Sequence, residues 1–176
     1  MSDETLPLLA FAAPSGSGKT TLLERLIPRL RARGLRVGLI KHSHHSFDID
    51  HPGKDSYRLR EAGASQVMVA SRRRWALITE HDDDRPEPDL QELLDHIDMS
   101  NLDLILVEGF KHEAVPKVEI HRPSLGTAPL YPDNDTIIAI ATDAEQPLDT
   151  DLPQLDLNDI ETIADFVVAR CLSTGE

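Results

Sequence analysis

Apolar runs alternate with amphipathic segments along this chain of 176 residues. The runs are short and aliphatic, as in strands that are buried on both faces of a sheet, and segments with helical periodicity separate most of them. This alternation predicts an α/β fold with a mostly parallel sheet and helices on both faces. The predicted strands are 7–13, 36–41, 102–107, 117–120 and 136–141, and the predicted helices are 18–33, 55–62, 89–97 and 158–172.

The segments 66–70 and 75–79 follow a different pattern, because only four residues separate these two apolar runs. Such spacing predicts an added antiparallel hairpin. A hairpin of this kind can extend a sheet across two subunits, so it is a candidate dimer element. The sequence shows no long linker, and residues 1–176 are predicted to form a single domain.

A glycine-rich segment, Pro-Ser-Gly-Ser-Gly-Lys-Thr-Thr at 14–21, lies between the first predicted strand and the first predicted helix. This setting is typical of a phosphate-binding P-loop, so the α/β fold is predicted to be P-loop NTPase-like and the single domain over 1–176 is predicted to bind a nucleotide. Gly16 and Gly18 let main-chain N–H groups face an anion, and the helix N-terminus adds its positive dipole end. Ala13 stands where the general pattern has glycine, and since alanine is the smallest substitute we expect a loop of similar path.

Three side chains of the loop are predicted to contact a nucleotide. Lys19 is placed to bridge the β- and γ-phosphates, and the Thr20 hydroxyl is placed to ligate Mg²⁺. Thr21 is within reach of the α-phosphate. The loop therefore predicts a site for a nucleoside triphosphate with its magnesium ion.

Ligands of parallel-sheet proteins bind beyond the carboxyl ends of the strands, so residues at those ends are candidates for the same site. Glu108 follows the strand 102–107 like a Walker B carboxylate, which holds Mg²⁺ through water or orients an attacking water. It is the best candidate for a catalytic residue, although the catalytic residues stay unknown. Lys41 is a candidate phosphate contact, and Asp143 can accept both N–H groups on one edge of guanine.

The loop that follows the second strand is rich in histidine. Four of the eight histidines lie at positions 42, 44, 45 and 51, beside Asp48 and Asp50. Imidazole and carboxylate groups can form a transition-metal site, but the spacing matches no fixed zinc pattern and no cysteine is near. The alternatives are a loop in which Asp48 or Asp50 contacts Mg²⁺ through water, and a solvated loop or subunit contact.

Charge is distributed unevenly within a formal net charge of −13. Residues 1–80 carry 13 Lys and Arg against 8 Asp and Glu, whereas residues 81–176 carry 5 against 23. The acidic part argues against nucleic acid as a partner. One cysteine, no apolar run near the ~20 residues of a membrane span and an acidic N-terminus without a secretory signal lead us to expect a cytoplasmic protein, not a membrane protein.

Taken together, several segments resemble the MobB family of molybdopterin-guanine dinucleotide biosynthesis adaptor proteins, from about residue 6 to 170. The histidine-rich loop with Pro-Gly-Lys-Asp-Ser and the segment Val-Glu-Gly-Phe-Lys are more particular than the P-loop alone. The segments that carry the resemblance are 14–21, 40–56, 70–77, 104–113 and 164–167.

The resemblance implies a GTP-binding homodimer that works beside the guanylyltransferase attaching GMP to molybdopterin, with slow GTP hydrolysis at most. The family's strand-end acid corresponds to Glu108. Two other functions stay open: a P-loop small-molecule kinase with Arg72–Arg74 as its lid, and a metal-insertion GTPase that uses the histidines. The phosphate-binding positions implied by the resemblance are Ser15, Gly16, Ser17, Gly18, Lys19, Thr20 and Thr21.

Overall fold

The computed structural model describes residues 6–43, 47–81 and 85–173. Strands and helices alternate over most of the chain, as the sequence pattern predicts. In chain order the elements are β1 (Leu8–Ala12), α1 (Lys19–Ala32), β2 (Val37–Lys41), α2 (Asp55–Glu61), β3 (Gln66–Ala70), β4 (Trp75–Thr79), α3 (Leu90–Asp95), β5 (Leu104–Glu108), β6 (Lys117–His121), β7 (Ile137–Thr142), β8 (Gln154–Asp156) and α4 (Ile160–Ser173).

The chain divides into two compact units, one formed by Met1–His42 with Asp89–Glu176 and the other by Ser43–Pro88. In the first unit, six strands form a parallel sheet in the order β2-β5-β1-β6-β7-β8. All carboxyl ends therefore meet at one edge, and the turns after β1, β2, β5, β6 and β7 are neighbours there. The single domain over 1–176 stays a prediction.

Helices cover both faces of this sheet. Leu9 and Phe11 of β1 are buried in the core beneath α1 and α4, whereas Leu90 and Leu94 of α3 pack with Ile105 on the opposite face. Neighbouring residues of a strand point to opposite faces, so the continuous apolar runs supply both cores. Full burial of each such side chain stabilises the fold by about 1.5–3 kcal/mol.

One strand, β6, is apolar on one face and polar on the other, and both faces are buried. Val118 and Ile120 belong to the core beneath α1 and α4. The carboxylate of Glu119 accepts the backbone N–H groups of Leu130 (2.7 Å) and Tyr131 (2.9 Å), which ties a covering loop to the sheet. The buried polar residues of β6 are Lys117, Glu119 and His121.

Lys117 is fully buried, yet its ammonium group has three acceptors. It donates to the carbonyl oxygens of Glu113 and Val115, the latter at 3.1 Å, and to the Thr136 hydroxyl at 2.9 Å. Burial lowers the pKa of Lys117, because removal from water disfavours the charged form. The three hydrogen bonds offset part of that cost and fix the start of β6.

The second unit contains the predicted antiparallel hairpin. β3 and β4 pair in register from Gln66 opposite Thr79 to Ala70 opposite Trp75. Arg60, at the end of α2, forms ion pairs with Asp48 (2.8 Å) and Glu80 (2.7 Å). These pairs tie α2 to the segments before and after it.

Two details differ from the sequence-based predictions. The predictions do not include the short strand β8. Only one of its three side chains, Leu155, is buried, so it has no apolar run that would mark a strand. The last helix begins at Ile160 and not at residue 158, because the Asp159 carboxylate caps it by accepting the backbone N–H groups of Glu161 (3.1 Å) and Thr162 (3.2 Å). None of the described helices has the length and apolar character of a membrane span.

Candidate functional site

The segment between β1 and α1 forms the tight turn that the P-loop motif requires. Gly16 and Gly18 have φ angles of 80° and 88°, in the region that favours glycine, and Gly18 directly precedes α1. The hydroxyl of buried Ser17 donates to the Pro14 carbonyl oxygen at 2.6 Å. Ala13 directly follows β1 and is buried, so the alanine does not prevent the turn.

Lys19 extends back across the turn from the first residue of α1. Its ammonium group donates to the carbonyl oxygens of Ala13 (2.9 Å) and Pro14 (3.0 Å). Burial lowers the pKa of Lys19, and the nearby lysines Lys111 and Lys41 lower it further, while Glu108 raises it. A cation held in a partly desolvated turn attracts an anion more strongly than one in open water.

Glu108 is the centre of a second group of contacts. It ends β5, is 7% exposed, and lies opposite Lys41 in the pairing of β5 with β2. The Thr20 hydroxyl donates to Glu108 Oε1 at 3.2 Å, and Lys41 Nζ lies 3.3 Å from Oε1 and 3.2 Å from Oε2. A hydroxyl beside a carboxylate supplies the hard oxygen ligands that Mg²⁺ prefers, so these two residues fit that ion.

The turn after Glu108 is strained. Gly109 has a φ of 100°, and the next residue, Phe110, has a φ of 52°, which is uncommon for a side chain of its size. A Cβ atom added at Gly109 would lie 2.9 Å from Cβ of His42. The backbone N–H of His42 donates to the Glu108 carbonyl oxygen at 2.9 Å. This close fit fixes the backbone that carries Glu108.

Arg122 joins the P-loop to Asp143, the residue predicted to bind guanine. Arg122 itself is absent from the sequence-based predictions. Its Nε donates to the Ser17 carbonyl oxygen at 3.1 Å, and its Nη1 forms an ion pair with Oδ2 of Asp143. The signal for it was available, because Arg122 directly follows β6, and the rule that assigned Glu108 and Asp143 applies to that strand end as well.

A cavity of about 590 Å³ opens beside Asp143, between the turn after β7 and the region of β8. Its volume lies within the range of small-ligand sites. The residues lining it include Thr142, Asp143, Glu145, Gln146, Gln154 and Asn158. Seven of the eleven lining residues are polar or charged, which suits recognition of a base edge by hydrogen bonds, and the other four are apolar.

The structure thus brings together Lys19, Thr20, Lys41 and Glu108, whose roles were predicted separately. Asp50 belongs to the second unit, where it accepts the backbone N–H of His51 at 2.9 Å and a hydrogen bond from Ser56 lowers its pKa. The role of Asp50 at Mg²⁺ stays a prediction.

The predicted metal site of the histidine-rich loop rests in part on His44 and His45, which lie outside the described residues. Within residues 6–43, 47–81 and 85–173, no cluster of three or more His, Cys, Asp or Glu side chains has the arrangement of a metal site.

Comparisons with known proteins agree with this architecture. Residues 8–143 match the family model described as molybdopterin guanine dinucleotide synthesis protein B. A molybdopterin-guanine dinucleotide biosynthesis adapter protein of Escherichia coli K12 is 58% identical over 165 residues, which are 93% of this chain and 92% of that protein. The Haemophilus influenzae Rd protein of the same name is 49% identical over 163 residues, covering 92% and 88%.

A solved structure shares the fold over nearly its whole length. The crystal structure of molybdopterin-guanine biosynthesis protein B (mobB) superposes with a TM-score of 0.73 at 27% identity, covering 94% of this chain and 99% of that one. The predicted α/β, P-loop NTPase-like fold is confirmed. The resemblance seen in the sequence is confirmed as well: this chain belongs to the MobB family of molybdopterin guanine dinucleotide synthesis proteins.

Proposed function

We propose that this protein binds Mg²⁺·GTP in its P-loop and serves as an adapter in the synthesis of molybdopterin guanine dinucleotide. Its partner in this proposal is the guanylyltransferase that joins GMP to molybdopterin. The adapter names of the relatives at 58% and 49% identity support the biosynthetic role. The nucleotide part of the proposal is supported by one observation above all, the P-loop closed by Lys19 and completed by the pair Thr20 and Glu108.

In this proposal the phosphates lie in the turn between β1 and α1. The unpaired N–H groups at the start of α1 and the ammonium group of Lys19 supply positive charge from two directions. Thr20 and Glu108 would hold the magnesium ion, which when bound neutralises charge on the β- and γ-phosphates. Lys41 balances the charge of Glu108 and keeps its carboxylate oriented toward Thr20.

The base would enter the cavity beside Asp143. Guanine presents an N1–H and an amino group on one edge, and a single carboxylate can accept both, whereas adenine offers no matching pair of donors. The volume of about 590 Å³ and the polar lining support this placement. Asp143 then gives the site its preference for GTP over ATP.

Slow hydrolysis at most is the enzymatic part of the proposal. Both oxygens of Glu108 already interact with Lys41, and one of them also accepts the Thr20 hydroxyl. A carboxylate engaged in this way is poorly placed to orient an attacking water. We therefore assign GTP to a binding and presentation role.

The hairpin of β3 and β4 is the proposed dimer element of a cytoplasmic homodimer. Met68 and Trp75 are 61% and 62% exposed, on a two-stranded sheet that is small for independent stability. Large exposed apolar side chains of this kind mark interaction surfaces.

Calorimetric titration with GTP and with ATP, each in the presence of Mg²⁺, tests the proposal on the full chain and on Lys19→Ala. Arg31→Ala, which removes an exposed cation of α1 outside the predicted site, is the matched control. We expect the wild type and the control to bind GTP more tightly than ATP, and Lys19→Ala to lose both GTP binding and stimulation of the guanylyltransferase. Unchanged GTP affinity and stimulation in Lys19→Ala would overturn the proposal.

A further inference from the structure

We propose that Arg122 is a positioning residue that sets the preference for guanine by fixing the Asp143 carboxylate against the P-loop. The inference rests on the proposed function, since it assumes a nucleotide in this site. It assigns a role to a residue that is not among the predicted magnesium ligands or phosphate contacts. Selectivity for the base then depends on Arg122, which follows β6, in addition to the segments that follow β1 and β7.

The order of the strands places Arg122 between the two parts of the site. β6 lies directly between β1, which leads into the P-loop, and β7, which leads into Asp143. His121 pairs with Thr142 at the end of β6 and β7, so the next residues, Arg122 and Asp143, leave the sheet side by side. A long side chain at this position can therefore reach both turns.

The guanidinium group contacts both turns. Nε donates to the Ser17 carbonyl oxygen at 3.1 Å, Nη1 pairs with Asp143 Oδ2, and Nη2 lies 3.7 Å from the point that a Cβ atom at Gly18 would occupy. The side chains of Arg122 and Asp143 are 33% and 23% exposed, so the pair is only partly screened by water. Two acceptors on different loops are thus held by one rigid plane.

This geometry suits the carboxylate for reading a base. An ionised carboxylate has about four acceptor positions, so the bond from Arg122 leaves Asp143 able to accept both guanine N–H groups. Without Arg122, the Asp143 side chain could rotate about its own bonds, and its orientation would have to be fixed at the moment of binding. Arg122 therefore orients the Asp143 carboxylate before the nucleotide binds and holds it at a constant distance from the phosphate site.

If Arg122 acted only at the phosphates, its loss would have a different effect on nucleotide binding. In the loop, Arg122 donates to the carbonyl oxygen of Ser17, while Lys19 and the start of α1 supply the charge for phosphate. If Arg122 merely supported the loop or attracted phosphate, its loss would weaken every triphosphate equally. If it positions Asp143, its loss weakens GTP selectively.

The test is calorimetric binding of GTP, ATP and inorganic tripolyphosphate, each with Mg²⁺, to the full chain, Arg122→Gln, Asp143→Asn and the double variant. Arg31→Gln, on the exposed side of α1, is the control. We expect Arg122→Gln to reduce the GTP-to-ATP preference about tenfold to hundredfold, the loss typical of one charged hydrogen bond. In the Asp143→Asn background, we expect Arg122→Gln to change the preference no further.

Arg122→Lys adds a readout of geometry, because it keeps the charge but lacks the rigid fork that holds two acceptors. We expect it to bind tripolyphosphate like the wild type and still to lose most of the preference for GTP. An unchanged preference in Arg122→Gln, or an equal loss for all three ligands, would overturn this inference and leave the proposed function standing. A wild type that does not bind GTP would overturn both.

Discussion

The Thr20 hydroxyl donates a hydrogen bond of 3.2 Å to Oε1 of Glu108, which joins the first turn of α1 to the end of β5 across 88 positions of sequence. β1 and β5 are adjacent and parallel, so a residue in the first turn of the helix after β1 meets the residue that ends β5. This contact places the two predicted magnesium ligands side by side.

Replacing Thr20 tests the magnesium part of the proposed site. Thr20→Val keeps the shape but removes the hydroxyl, so we expect GTP affinity measured with saturating Mg²⁺ to fall about tenfold or more. Thr20→Ser keeps the hydroxyl and should bind nearly as the wild type does. If Thr20→Val and Thr20→Ser show the same dependence on Mg²⁺ concentration, Thr20 is not a magnesium ligand.

Gly109 offers a test of the strained turn after β5. Gly109→Ala combines an unfavourable positive φ with a contact of 2.9 Å to His42, so we expect it to lower the free energy of unfolding by about 2–4 kcal/mol. Gly126 also has a positive φ, but a Cβ atom added there would meet no other atom within 4 Å. Gly126→Ala should therefore lower the free energy of unfolding by only about 1–2 kcal/mol. Urea unfolding of both variants provides the comparison, and equal losses would argue against the steric contact.

The cap of α4 distinguishes two neighbouring residues. Asp159→Ala removes the acceptor of two helix N–H groups and should lower the free energy of unfolding by about 1 kcal/mol. Asn158→Ala changes the residue at which the predicted helix 158–172 starts, and should change the free energy of unfolding by less than about 0.5 kcal/mol. Thermal denaturation of the two variants measures the difference, and the reverse order would favour the predicted start of the helix at residue 158.

Asp103, at the amino end of the sheet, makes the free energy of unfolding depend on pH. Hydrogen bonds from the Arg36 side chain and backbone, together with its charge, lower the pKa of Asp103 to about 2, from an ordinary value of about 3.9. Because the folded state holds the ionised carboxylate more strongly, this contribution is complete above the unfolded pKa and is lost as pH falls from about 4 toward 2.

Urea unfolding of the wild type and Asp103→Asn from pH 7 to pH 2.5 measures that contribution. We expect the wild type to be the more stable at neutral pH and the difference to shrink below about pH 4. Asp95→Asn, on α3, serves as the control substitution. A difference that is constant over the whole range would show that the charge of Asp103 does not produce it.

Local signals account for the parts of the fold that the sequence predicted well. The turn at 14–21 contains glycines at the two positions that need positive φ, and the apolar runs around it are long enough to define β1 and α1. The hairpin was predictable because a four-residue connection leaves antiparallel pairing as the simple solution. Each of these features depends on residues that are close in sequence.

Long-range pairing explains what the sequence did not reveal. β8 has three residues and is specified by its partner β7 rather than by its own pattern. The contact of Arg122 with Ser17 spans 105 positions and follows from the strand order, which no local window contains. The clustering of Lys41 with Glu108 likewise depends on the adjacency of β2 and β5.

The buried ammonium group of Lys117 restricts how long this part of the chain can be. Lys117 is anchored by three acceptors at the start of β6, and Arg122 follows five residues later. Side chains alternate between the faces of a strand, so one inserted or deleted residue between them would turn Arg122 away from Ser17 and Asp143. The number of residues between Lys117 and Arg122 is therefore constrained as strictly as the identities of these two residues.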